Sequence, residues 1–244
     1  MFEVIPAIDV AAGRLARITG AGVEPIAAFG GDPITAAQVF AEAGARWLHV
    51  VDLDLARTGR SENLAVVRSA AELGVPVQAS GGVRTVGEVE AFLESGASRV
   101  VLGSGALAER EAVPELLERY GDRLVVAIEA EGTTIRPRGG GVELALWETL
   151  EWLAGLPVAR FLFVEVGRVG GMQGPDLDGI WALALHTGRP VLASGGIRDL
   201  DDLRAVAGLG PSVEGAIVGR ALYEGDLDLS EALAAVGGRP RGSR

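Results

Sequence analysis

Ile5-Pro6-Ala7-Ile8-Asp9 returns 120 residues later as Val125-Val126-Ala127-Ile128-Glu129. In each copy a buried-type apolar run ends on a carboxylate. Three more echoes keep the same order. Val51-Asp52-Leu53 matches Val164-Glu165-Val166 at an offset of 113, Ala79-Ser80-Gly81-Gly82-Val83-Arg84 matches Ala193-Ser194-Gly195-Gly196-Ile197-Arg198 at 114, and Val101-Leu102-Gly103-Ser104 matches Ile217-Val218-Gly219-Arg220 at 116. Four ordered echoes at a nearly constant offset predict a duplicated half, with paired carboxylates and paired glycine turns. A substrate charged at both ends, with chemistry in the middle, would suit such a layout.

Working outward, short β-branched runs alternate with helical patterns. Strands are expected at Glu3–Ile8, Trp47–Val51, Val75–Gln78, Arg99–Leu102, Leu124–Ile128, Phe161–Val164, Val191–Leu192 and Gly215–Val218. Their near-continuous apolar character is that of strands covered on both faces. Helices are expected at Ile34–Glu42, Leu64–Leu73, Val86–Glu94, Val113–Arg119, Leu144–Ala154, Leu177–Thr187 and Leu200–Ala207, with Asn63, Thr85 and Asp199 at their N-termini. Eight strands alternating with helices in 244 residues predict an α/β fold, a (β/α)8 TIM barrel built from two duplicated half-barrels. A doubly wound open sheet is the alternative, and the half-length repeat favours closure. The expectation is one barrel domain over residues 1–244, with half-barrels at about 1–120 and 121–236 and a polar tail at 237–244. Glycine-rich loops at Thr19–Pro33 and Glu131–Gly141 follow the first and fifth strands and are expected to act as lids.

Absences narrow the chemistry. There is no Cys, and all 22 basic residues are Arg, so thiol nucleophiles, disulfides, Schiff-base lysines and P-loop lysines are excluded. His49 and His186 do not form a metal-ligand spacing, which leaves open only a metal held mainly by carboxylates. The net charge of −11 argues against a nucleic-acid partner. No apolar run approaches the ~18 residues of a membrane span, and nothing resembles a signal peptide. A cytoplasmic monomer acting on a small molecule is the expectation.

Asp9 and Glu129, on strands one and five of eight, would face each other across a barrel mouth. One protonated and one ionised carboxyl can serve as acid and base. Gly81-Gly82 and Gly195-Gly196 follow strands three and seven; Gly103-Ser104 and Gly219-Arg220 follow strands four and eight. Glycine at such turns lets backbone N–H groups approach a phosphate. Candidate ligand-binding residues are therefore Gly81, Gly82, Arg84, Gly103, Ser104, Gly195, Gly196, Gly219 and Arg220. Arg198 follows its glycine pair as Arg84 does and could reach a phosphate or carboxamide. His49 is expected inside the barrel; His186, Trp147 and Trp152 are expected to be structural.

Ile-Pro-Ala-Ile-Asp at 5–9, His-Val-Val-Asp-Leu-Asp at 49–54, Gly-Gly-Val-Arg at 81–84, Ser-Gly-Gly-Ile-Arg at 194–198 and Gly-Ala-Ile-Val-Gly-Arg-Ala-Leu-Tyr at 215–223 resemble the ProFAR isomerases of histidine biosynthesis. These are phosphoribosylformimino-5-aminoimidazole carboxamide ribotide isomerases. The resemblance implies a duplicated half-barrel that performs an Amadori rearrangement on a bisphosphorylated aminoaldose, without metal or cofactor. It favours this family over the related cyclase subunit of imidazole glycerol phosphate synthase, which carries a Cys-Leu-Asp type first strand and a lysine nearby. The family's first catalytic aspartate falls on Asp9; its second falls on Glu129. Val164 and Val169 stand where the family has Thr and Asp, Gly171 where it has a second Thr, and Gly140 where it has Trp. Two alternatives follow from these departures and the fold: a non-catalytic bisphosphate-binding barrel, and an isomerase that also accepts phosphoribosylanthranilate.

Overall fold

The computed structural model describes residues 2–19, 22–138 and 140–237. Eight parallel strands form the cylinder: β1 Glu3–Ala11, β2 Leu48–Asp52, β3 Val77–Val83, β4 Arg99–Leu102, β5 Leu124–Glu131, β6 Phe161–Glu165, β7 Val191–Ser194 and β8 Val213–Val218. Each pairs with the next in chain order. β8 pairs back onto β1, Ile217 opposite Ile5, so the sheet closes and has no edge in the barrel wall.

Period-2 alternation builds two apolar layers. Ile5 and Ala7 point inward with Val101, Val125, Ala127, Leu162, Val164, Leu192 and Ile217. Val4, Ile8 and Val10 point outward, into the layer shared with the helices. Each fully buried Ile or Leu side chain contributes about 1.5–3 kcal/mol over its exposed state. The expected helices occur at Pro33–Glu42, Leu64–Ala71, Val86–Glu94, Ala112–Tyr120, Leu146–Ala154, Leu177–Thr187 and Leu200–Ala207. Thr85 and Glu88 form a reciprocal capping box, and Asp199 accepts from the backbone N–H groups of Asp201 and Asp202.

The structure corrects the sequence reading in several places. β1 runs on to Ala11 and β5 to Glu131, so Asp9 and Glu129 lie within strands rather than just after them. The loop expected over Thr19–Pro33 is partly a hairpin: Arg14–Thr19 pairs with β1 and with Gly22–Pro25. Ala12 and Gly13 both take positive φ, the backbone of a two-residue hairpin turn. The loop after β5 folds back in the same way, through Thr134–Ile135 against Ala130 and Glu131. Leu144–Ala145 pairs with that short strand, which delays the next helix to Leu146. Asn63 occupies an N-cap position but does not cap. Its amide donates to Asp52 (2.7 Å) and Asp54 (2.9 Å), and its carbonyl accepts from Gly13 N–H, tying β2 to the β1 turn. Helices at Leu53–Thr58, Arg220–Glu224 and Leu229–Val236 were not anticipated. Residues 238–244 of the expected tail, and Gly139 of the fifth loop, lie outside the described residues. No helix among the described residues is long and apolar enough to cross a membrane.

Candidate active site

The C-terminal ends of the strands surround a cavity of about 610 Å³, within the usual range for small-molecule sites. Asp9 and Glu129 both line it. Their registers are equivalent: Asp9 sits opposite Val51 on β2, and Glu129 sits opposite Val164 on β6.

The two carboxyls differ in their surroundings. Burial lifts the Asp9 pKa to about 6, and the Arg138 guanidinium pulls the other way. Glu129 accepts from Ser104 Oγ at 2.5 Å, from Arg138 N–H at 3.3 Å and from Arg138 Nε at 2.9 Å. The Glu129 side chain is 12% exposed and that of Arg138 35%, so the pair is buried on the carboxylate side and open to solvent on the guanidinium side. Tyr223 donates its hydroxyl to the Ala7 carbonyl at 2.8 Å. Burial raises its pKa, with the Asp9 charge as the second cause.

The expected glycines line the mouth in two groups, Gly81, Gly82 and Gly103 on one side and Gly195, Gly196 and Gly219 on the other. Two positions demand glycine. Gly81 has φ +137°, and a Cβ there would overlap the Asp52 carbonyl oxygen; Gly196 has φ +80°, and a Cβ would overlap the Gly174 carbonyl oxygen. Gly219 is different: a Cβ would lie 3.6 Å from Ala7, an ordinary contact.

The arginines divide. Arg220 lines the cavity, held by Glu224 (2.7 Å) and the Gly170 carbonyl (2.5 Å). Arg84 does not line it; its guanidinium reaches the Gly140 carbonyl of the fifth loop, and its N–H donates to Glu88. Arg198 is likewise turned away, bidentate on Asp202 at 2.8 Å through both nitrogens. Ser104 is fully buried, with its hydroxyl on Glu129 instead of facing the mouth. Residues missed in the sequence also line the cavity: Arg17 from the hairpin, Ser80, Arg138 and Tyr223. Tyr223 closes a quoted motif and Ser80 opens the glycine turn, which was a usable signal; Arg17 and Arg138 gave none beyond loop position. Among the described residues no group of three or more His, Asp or Glu side chains converges as a metal ion would require.

A (β/α)8 barrel whose mouth joins two carboxylates to paired glycine turns is an enzyme of small-molecule metabolism by fold and site. The chain belongs to the histidine biosynthesis protein family, whose model matches residues 3–228. A relative from Moorella thermoacetica, named 1-(5-phosphoribosyl)-5-((5-phosphoribosylamino)methylideneamino) imidazole-4-carboxamide isomerase, is 43% identical over 95% of this chain and 97% of its own. A protein of the same name from Thermobifida fusca is 41% identical over 97% of each chain. Phosphoribosyl isomerase A of Streptomyces coelicolor is 41% identical over 96% of this chain and 98% of its own.

Proposed function

We propose that the chain is the isomerase of histidine biosynthesis that converts a bisphosphorylated aminoaldose, ProFAR, into its aminoketose by an Amadori rearrangement. The observation that carries this is the seating of Asp9 and Glu129 in one cavity between two glycine cradles. Each cradle would hold one terminal phosphate through backbone N–H groups and leave the ribosyl carbons between the carboxyls.

Glu129 would protonate the ribose ring oxygen as the C1–O bond breaks, giving the open-chain iminium. Asp9 would then take the proton from the neighbouring carbon, giving an enolamine that tautomerises to the ketose. Asp9 suits the base role because a pKa near 6 leaves it ionised at neutral pH yet more basic than a solvated aspartate. For Glu129 to carry a proton, Arg138 must release it. Arg138 lies on the loop after β5.

The reading extends to one barrel domain with half-barrels meeting near residue 120, a monomer in the cytoplasm, and no nucleic-acid partner. The completeness of the mouth within one chain and the charge of −11 support these. Purified protein should convert ProFAR, and kcat should fall as pH drops through about 6 and Asp9 is protonated. No turnover of ProFAR would overturn the proposal in favour of a binding barrel. Turnover of phosphoribosylanthranilate as well would make it dual-specific.

A further inference from the structure

Beneath the mouth, the β2–β4 wall holds a chain of buried polar side chains that the mechanism above does not use. Arg99, at the start of β4, donates from Nε to Gln78 Oε1 on β3 at 2.6 Å. Its guanidinium lies 3.9 Å from the centre of the Trp47 ring, which fixes its plane. Gln78 Nε2 lies 2.8 Å from His49 Nδ1 on β2. His49 Nε2 lies 3.2 Å from Ser80 Oγ, at the lip of the cavity. Gln78, His49 and Arg99 are all buried.

The chain has one internally consistent polarity. Arginine only donates, so Gln78 must present its oxygen to Arg99 and its NH2 to His49. His49 Nδ1 is then an acceptor and carries no proton. Burial, with Arg99 and Arg138 adding repulsion, pushes the His49 pKa down to about 3, so the ring is neutral. Its single proton therefore sits on Nε2 and is donated to Ser80 Oγ. That leaves the Ser80 hydroxyl hydrogen without a duty inside the wall and available to the cavity.

We propose that Gln78 and Arg99 are positioning residues that lock His49 in its Nε2–H form and so make the Ser80 hydroxyl a donor to an oxygen of the bound bisphosphate. This rests on the functional reading above for the ligand only. A buried network with no role would need its partners satisfied in either polarity; here the direction is set at the far end, by Arg99, and read out at Ser80.

The chain has two histidines, so the ring nitrogens of His49 can be followed in 15N-histidine-labelled protein. Without substrate at neutral pH, His49 should show a pyridine-type Nδ1 and a pyrrole-type Nε2. A pyrrole-type Nδ1 in the wild type overturns the proposal with no variant needed. Gln78→Glu would accept from both Arg99 and His49 Nδ1, which should reverse the pattern. Ser80→Ala should lower kcat/KM about tenfold, the worth of one hydrogen bond to bound substrate, chiefly by raising KM. Gln78→Glu should match it, and the double variant should be no worse than either. Arg99→Met frees the Gln78 amide and should give mixed tautomers with an intermediate kcat/KM. Across all variants kcat/KM should follow the proton on His49 Nε2. A Gln78→Glu protein that reverses the tautomer and keeps wild-type kcat/KM sinks the idea, as does a Ser80→Ala protein with unchanged kcat/KM. A wild type inert toward ProFAR would defeat the functional reading, whereas the tautomer, read without ligand, tests the lock on its own.

Discussion

The inner linings of the two half-cylinders share an apolar layer but differ in what is added to it. The first half sends in Ile5, Ala7 and Val101, and β2, β3 and β4 add buried His49, Gln78, Ser80 and Arg99. β5 to β8 send Val125, Ala127, Leu162, Val164, Leu192 and Ile217 to the corresponding interior. Both halves end in glycine turns at the mouth. The resemblance between halves therefore lies at the rim, where a ligand would be gripped, and the difference lies beneath it. The first wall adds a chain of hydrogen bonds to its apolar layer, and the second is lined by aliphatic side chains. A carboxyl set against such walls, as Asp9 is, gains basicity from burial without a compensating contact in its own strand.

The comparison can be broken most severely at Asp9. Asp9→Asn should lower kcat by about 10²–10⁴. It should also stabilise the fold at pH 7. The folded pKa of about 6 stands above the ordinary 3.8, so the folded state binds the extra proton and loses stability as pH rises through that window. Removing the charge should return on the order of 2–3 kcal/mol, read as a higher midpoint in urea that vanishes below pH 4.

Leu162→Ala strikes the apolar wall instead. It should cost about 2–4 kcal/mol of stability, measured by denaturant unfolding, while the folded fraction keeps its pH profile. A shifted profile would mean that the apolar half also tunes the carboxyls.

Glu129→Asp shortens the arm that meets Ser104 and Arg138. It should lower kcat roughly 10–100-fold through misplacement of about 1 Å. A gain in rate would show instead that the longer side chain is a handicap, and Val164→Thr would then be the companion to test.

The smallest effect separates the two rims. Gly219→Ala has room and should change stability by under about 0.5 kcal/mol. Gly103→Ala meets Gly82 Cα at 2.9 Å and should be clearly destabilising. Equal melting temperatures for the two would mean the rims are alike.

Much of this is legible in the sequence, for physical reasons. Buried parallel strands and amphipathic helices carry strong local periodicity, so Arg99–Leu102 and Leu177–Thr187 could be bounded from sequence. The carboxylates and glycine turns were visible because the repeat states them twice. Nothing comparable marks Gln78 or Arg99. Each is one polar residue at a strand end, and their meaning comes from neighbours on three different strands. Side-chain direction was equally hidden: Arg84 and Arg198 follow identical glycine pairs, yet one turns to Gly140 and the other to Asp202. The hairpin at Arg14–Thr19 escaped because Ala12, not glycine, opens its turn.

The seam between β1 and β8 has a consequence for how the protein is made. β1 leaves the ribosome first, but its partner ends at Val218. At about 5–20 residues per second, on the order of 10–40 s pass before that partner exists. Throughout that interval Glu3–Pro6 offers unpaired N–H and C=O groups along one side, a template for mispairing with another nascent chain. Newborn copies on crowded polysomes are therefore at greater risk than the finished barrel, in which that edge no longer exists.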